Sequence, residues 1–181
     1  MHLLNVVSNF NKYVSSSLFY SATYKGRIKA ICGLHFAVGI LMLLRLSTFL
    51  FVAAGVRPPA LLQKMRLPVL DGWELPWLGS VLAPIFALMA IKRNKAFLMK
   101  QYMLGILIFG VLPVAYGIYD NLDDLKQYWE SKTTTRLFLG FPWVVLEHMF
   151  FVICIQLHGF GLYFALKLIN AWQPRVVKKS Q

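Results

Sequence analysis

Four runs of apolar residues, joined by short linkers, account for most of the 181-residue chain. A helix crossing about 30 Å of hydrocarbon needs roughly 20 mainly apolar residues. The runs fall at about 31–53, 75–91, 102–119 and 137–157, and the helix of the last is expected to continue to Ile169 or beyond. The second run is short and holds Pro84; the third holds Pro113 and the fourth Pro142. Proline is tolerated in a spanning helix where neighbouring helices satisfy the freed carbonyl, so these prolines read as kinks. A membrane β-barrel would instead show alternating segments of about ten residues. The fold class is therefore all-α: a polytopic membrane protein with four transmembrane helices in a bundle over 30–172. An N-terminal segment (1–29) precedes it and a basic tail (173–181) follows.

Composition supports the membrane class. Only 14% of residues are charged and 58% are hydrophobic, whereas a soluble domain carries about a quarter charged residues. The net charge of +12 sits in short clusters beside the apolar runs. It does not form the basic stripe that nucleic-acid binding requires, so no nucleic-acid partner is expected. The first 29 residues are broken by Asn5, Ser8, Asn9, Asn11, Lys12 and Ser15 to Ser17. They lack the unbroken apolar stretch of a signal peptide, and the first run should serve as an uncleaved anchor. Cys32 and Cys154 lie inside apolar runs, where a cysteine behaves as a small buried hydrophobe. No C-x-x-C, zinc spacing or nucleotide loop occurs, and no cofactor is expected.

The linkers carry the orientation signal. The stretch 57–74 contains Pro58, Pro59, Pro68 and Gly72 and reads as an irregular loop; 92–100 reads as a tight basic turn. Within the polar stretch 120–136, the spacing of Leu122, Leu125 and Trp129 predicts a short interfacial helix. The N-terminal segment, the middle turn and the C-terminal segment from Lys167 onward hold twelve basic residues and no acid. The other two loops hold six basic residues and six of the seven acids. Basic residues of short loops stay cytosolic, which assigns both termini to the cytosol and the acid-bearing loops to the lumen.

Two charges fall within spans, Arg45 and Glu147. Such a charge costs about 2.5–3.5 kcal/mol on insertion scales and marks a candidate site. From the rise per residue, Arg45 lies about 21 Å from the cytosolic start of its span and Glu147 about 15 Å from the luminal start of its own. Three readings stand. Arg45 snorkels to the luminal interface while Glu147 is protonated or hydrogen-bonded; the two form an interhelical pair; or they serve transport or a proton relay. His35 and His158 fall at similar depth, and with His148 they could extend a polar seam through the bundle. No set of four zinc ligands is complete, and no catalytic set converges at one depth, so neither a metal nor an enzymatic activity is expected. Gly105, Gly110 and Gly117 read as points of close helix approach.

The chain ends Lys178-Lys179-Ser180-Gln181, with lysines three and four places from the end. This looks like a dilysine retrieval signal, a receptor-read address that the COPI coat reads from the cytosol. The other reading is an ordinary basic juxtamembrane tail drawn to anionic lipid; the position of the lysines and the cytosolic assignment of the C-terminus favour the signal. Further stretches resemble the Jagunal family of endoplasmic reticulum membrane proteins: IKAICGLHFAVGILMLLRLS (28–47), WELPWLGSVLAP (73–84), Arg93-Asn94, LPVAYG (112–117), TRLFLGF from Thr135, Gln156-Leu157-His158, and KLINAW (167–172). The similarity spans about 24–172 and the basic tail; residues 1–20 do not take part. The resemblance implies a four-pass, non-enzymatic protein of the reticulum membrane. Such a protein supports reticulum organisation and vesicle-mediated transport in the early secretory pathway, with membrane lipids, the COPI coat and an unnamed membrane or cargo protein as partners. The alternative is a small transporter or channel subunit using Arg45, Glu147, His148 and His158.

Overall fold

A computed structural model describes residues 2–65, 67–68, 70–132 and 136–172, with side chains described for Phe19 and from Ser21 onward. The first element, α1 (His2–Ala53), is one 52-residue helix, about 78 Å long at the α-helical rise. It runs through the boundary expected at residue 29, because no proline occurs before Pro58. Its apolar part is Ser21–Ala53. After a short α2 (Ala60–Met65), the second span is assembled from α3 (Glu74–Leu78), a tight 3-10 turn (Gly79–Leu82) and α4 (Ala83–Arg93). Pro84 sits in the first turn of α4, where its missing N–H had no intrahelical acceptor to lose.

α4 ends at Asn94, which adopts the left-handed conformation (φ 50°) and turns the chain at once into α5 (Ala96–Gly105). The basic turn is thus tighter than the stretch 92–100 suggests. The third span continues through a wide π turn (Ile106–Val111) into α6 (Leu112–Asp120). Proline removes one backbone donor and crowds the carbonyl four residues earlier. Pro113 crowds that of Phe109, and the wide turn takes up the misfit. The polar helix expected after it is α7 (Leu122–Ser131).

The fourth span departs from expectation. Leu137–Phe138 (β1) and Phe141–Pro142 (β2) form a small hairpin, with Leu137 opposite Pro142. Its two-residue turn, Leu139-Gly140, has positive φ at both positions (51° and 84°). The helix α8 (Trp143–Trp172) starts only after it. Pro142 is therefore no helix kink; it lies outside the helix, where its ring and missing donor disturb no helical ladder.

The spans at 21–53, 74–93, 96–120 and 143–172 are each long and apolar enough to cross a membrane. They alternate in direction, so Ser21 and Trp172 meet at one end, where the Trp172 indole donates to Ser21 Oγ at 3.2 Å. We call this the terminal end and the other the loop end. Two apolar clusters fill the bundle. At the terminal end, Ile28 and Cys32 of α1 pack with Met99 and Tyr102 of α5 and with Ala165 and Leu168 of α8. Ala83, Ala87 and Ala90 form a small-residue stripe that lets α4 approach them closely. At the loop end, Met42, Trp73, Trp77, Val114, Phe151 and Cys154 make the second cluster. Leu41, Val52, Leu104 and Met149 lie on the outer surface, as lipid-facing positions do.

Candidate functional site

Among the described residues, two buried polar groups lie inside the bundle. The first is a histidine layer at mid-depth. His35 of α1 is 5.4 Å, ring to ring, from His158 of α8. It stacks on Trp77 at 5.5 Å with nearly parallel planes. Its Nε2 lies 3.0 Å from Ser80 Oγ in the 3-10 turn before Pro84. His158 packs against the wide turn of the third span: a Cβ on Gly110 would lie 2.9 Å from its ring, so only glycine admits it. Neither ring nitrogen of His158 has a hydrogen-bond partner among the described residues. Two of the three expected seam histidines thus meet. His148 does not join them; its Nδ1 donates to the Val144 carbonyl of its own helix at 2.8 Å, and its ring faces Phe151.

The second group is a charge cluster at the loop end. Arg45, 8% exposed, forms its ion pair with Glu74, which is fully buried at the start of α3. Its guanidinium also lies over the Trp143 ring at 4.5 Å and reaches the Pro68 carbonyl at 3.5 Å. Of the three readings open from sequence, an interhelical pair of Arg45 with Glu147 is thus not the ion pair seen; Arg45 is paired with Glu74. The chain folds back after α2 so that Glu74, assigned from sequence to a loop, opens the second span beside α1. Glu147 in turn lies one turn inside α8, about 6 Å from its start, near the loop end and not at the midplane. Glu147 Oε1 accepts from Trp73 Nε1 at 3.3 Å and from Asn121 Nδ2 at 3.4 Å. Asn121 also donates to the Gly117 carbonyl at 2.9 Å, which fixes the amide. Asp71 completes the group: Asp71, Glu74 and Glu147 each place a carboxylate oxygen within 4.8 Å of the others. Arg136, half-exposed, approaches Asp71 at 3.9 Å.

Sequence reading missed Asp71, Glu74, Trp73 and Asn121. A signal existed: Trp73-Glu74 stands directly before an apolar run, so the glutamate belongs to the first turn of the span. Gly117 is where the third span lets the site close, since a Cβ there would lie 2.8 Å from the Trp73 ring and 3.0 Å from Phe151.

The Ser80–His35 contact has the geometry of a nucleophile and a base, yet both residues are buried to within 1%. Such burial leaves no face on which a substrate carbonyl could approach, and a reacting pair needs one. The contact reads as internal satisfaction of two polar groups. At the terminal end, basic residues lie over aromatic rings: Lys25 over Trp172 at 6.0 Å, Arg27 over Phe164 at 5.3 Å and Lys167 over Tyr163 at 5.4 Å. This collar suits the boundary between hydrocarbon and charged headgroups.

The sequence model of the Jagunal family, described as "ER re-organisation during oogenesis", matches residues 9–176. The chain belongs to the Jagunal family. It is 28% identical to the protein jagunal of Drosophila pseudoobscura pseudoobscura, covering 94% of this chain and 90% of that protein. It is 31% identical to the jagunal homolog of Caenorhabditis briggsae, covering 85% and 83%, and 25% identical to jagunal homolog 1 of Homo sapiens, covering 88% and 83%. The family is described by reticulum organisation, and none of these relatives is named as an enzyme. For this Jagunal chain, the expected retrieval lysines Lys178 and Lys179 lie outside the described residues.

Proposed function

We propose that the chain is a non-enzymatic endoplasmic reticulum membrane protein that supports reticulum organisation and vesicle-mediated transport in the early secretory pathway. In this reading both termini face the cytosol, and the COPI coat retrieves the protein through Lys178 and Lys179. The observation that carries it is membership of a family described by reticulum re-organisation, over nearly the whole chain. One feature supports the finer points. The alternation of four spans brings Lys25, Arg27, Lys29, Lys92, Arg93, Lys95 and Lys167 to one end of the bundle, which is the charge distribution of a cytosolic face. Membrane lipids, the coat and a membrane or cargo protein remain the proposed partners. The test is the cellular location of the intact protein beside a Lys178→Ser, Lys179→Ser double variant, both tagged at the N-terminus. Spread of the variant to the Golgi and beyond supports retrieval; retention of the variant in the reticulum rejects the tail as the signal.

A second reading, a small transporter or channel subunit, draws on the buried polar groups at Arg45, Glu147 and His158. His148 is satisfied within its own helix and gives it no support. That reading requires Glu147→Gln to abolish a solute or ion flux in reconstituted vesicles; unchanged flux removes it.

A further inference from the structure

We infer that Asp71, Glu74 and Glu147 form a binding site for a hard divalent cation of the calcium class at the loop end of the bundle. The three residues come from the segment before α3, from its first turn and from α8, and their carboxylate oxygens lie within 4.8 Å of one another. That spacing fits an ion held about 2.3–2.6 Å from each oxygen, the distance calcium takes with carboxylates. All-oxygen ligands of this kind select calcium, magnesium or manganese over softer metals.

Proximity alone would not make a site. The second observation is that two of the carboxylates each leave a buried oxygen without a donor among the described residues. Glu74 is fully buried and uses one oxygen on Arg45; its Oε2 has no hydrogen-bond partner among the described residues, and neither does Asp71 Oδ2. Buried carboxylate oxygens are almost always satisfied, so a pair of bare acceptors in one charge cluster calls for a positive group between them. The charge balance agrees. Three carboxylates face one buried guanidinium, that of Arg45, which leaves two negative charges. A divalent ion closes that balance. Arg136 touches Asp71 only at 3.9 Å from a half-exposed position, where water screens it. Access is present as well: Asp71 is 20% exposed, so an ion can reach the group from the aqueous side without crossing the hydrocarbon.

The site is independent of the retrieval tail and of the trafficking reading. It is tested on the full chain, purified in detergent and stripped with a chelator. Calcium chloride is titrated by calorimetry and the unfolding midpoint followed in parallel, with potassium chloride as the ionic-strength control. The expected result is saturable binding of one ion per chain with a rising midpoint. Loss of one carboxylate ligand should weaken binding at least about tenfold in Glu147→Gln and in Asp71→Asn, while Asp123→Asn on exposed α7 leaves it unchanged. Asp71→Asn, at the exposed edge, keeps the test valid if Glu147→Gln fails to fold. No calcium binding by the wild-type chain overturns the proposal, as does undiminished binding in the variants. A midpoint that rises on acidification and ignores calcium overturns it too, because a shared proton then takes the charge.

Discussion

The Arg45–Glu74 pair is buried on both sides, so removing one partner strands a charge in the bundle. Arg45→Met alone is expected to lower stability by about 3–5 kcal/mol. The double variant Arg45→Met, Glu74→Leu should lose less than the single one, read by thermal unfolding in detergent; equal losses would mean that the ion pair is not what the arginine contributes. Gly117 offers a steric counterpart. A methyl group there meets the Trp73 ring at 2.8 Å, and overpacking of this kind costs about 1–3 kcal/mol. Gly117→Ala should therefore destabilise, whereas Gly26→Ala, with nothing within 4 Å, should not. The intramembrane charges could be picked out from sequence because charges are rare in apolar runs. Their partners could not, because Glu74 stands at a boundary where one residue decides between loop and helix.

Single residues also decide how the elements join. Leu139 holds φ at 51° in the tip of the hairpin, a conformation that costs an ordinary side chain about 1–2 kcal/mol. Leu139→Asn tolerates that geometry and should raise stability by about 1 kcal/mol in detergent; a loss would show that Leu139, 73% exposed, instead holds the hairpin by apolar contact. The hairpin itself was not legible. Residues 137–142 are mostly apolar and read as the start of a span, because a run this short fits a helix or a strand equally well. The α7 helix, by contrast, was legible, since its apolar spacing recurs within a polar stretch. Pro84 and Pro113 read from sequence as helix kinks; Pro84 instead opens α4 after a tight turn and Pro113 opens α6 after a wide one, and sequence alone did not tell these apart.

For the molecule as a whole, four long apolar runs were enough to give the bundle, because backbone satisfaction in lipid leaves little else for them to form. Its orientation can be probed directly. Cys32 and Cys154 are buried and should not react with a charged maleimide. Lys95→Cys, exposed at the terminal end, should label in intact reticulum vesicles whose cytosolic face is outward. Lys126→Cys, exposed on α7, should label only after the membrane is opened. The reverse pattern would invert the proposed topology and remove the coat's access to the tail. The Arg45–Glu74 pair, finally, bears on how the chain is made. Arg45 and its counter-charge are 29 positions apart, so at a synthesis rate of about 5–20 residues per second the arginine waits on the order of seconds for its partner. Through that interval the first span carries an unmatched charge that hydrocarbon disfavours. Pairing with Glu74 relieves that charge, so joint entry of the first span and the helix that begins at Glu74 is favoured over release of the first one alone into lipid.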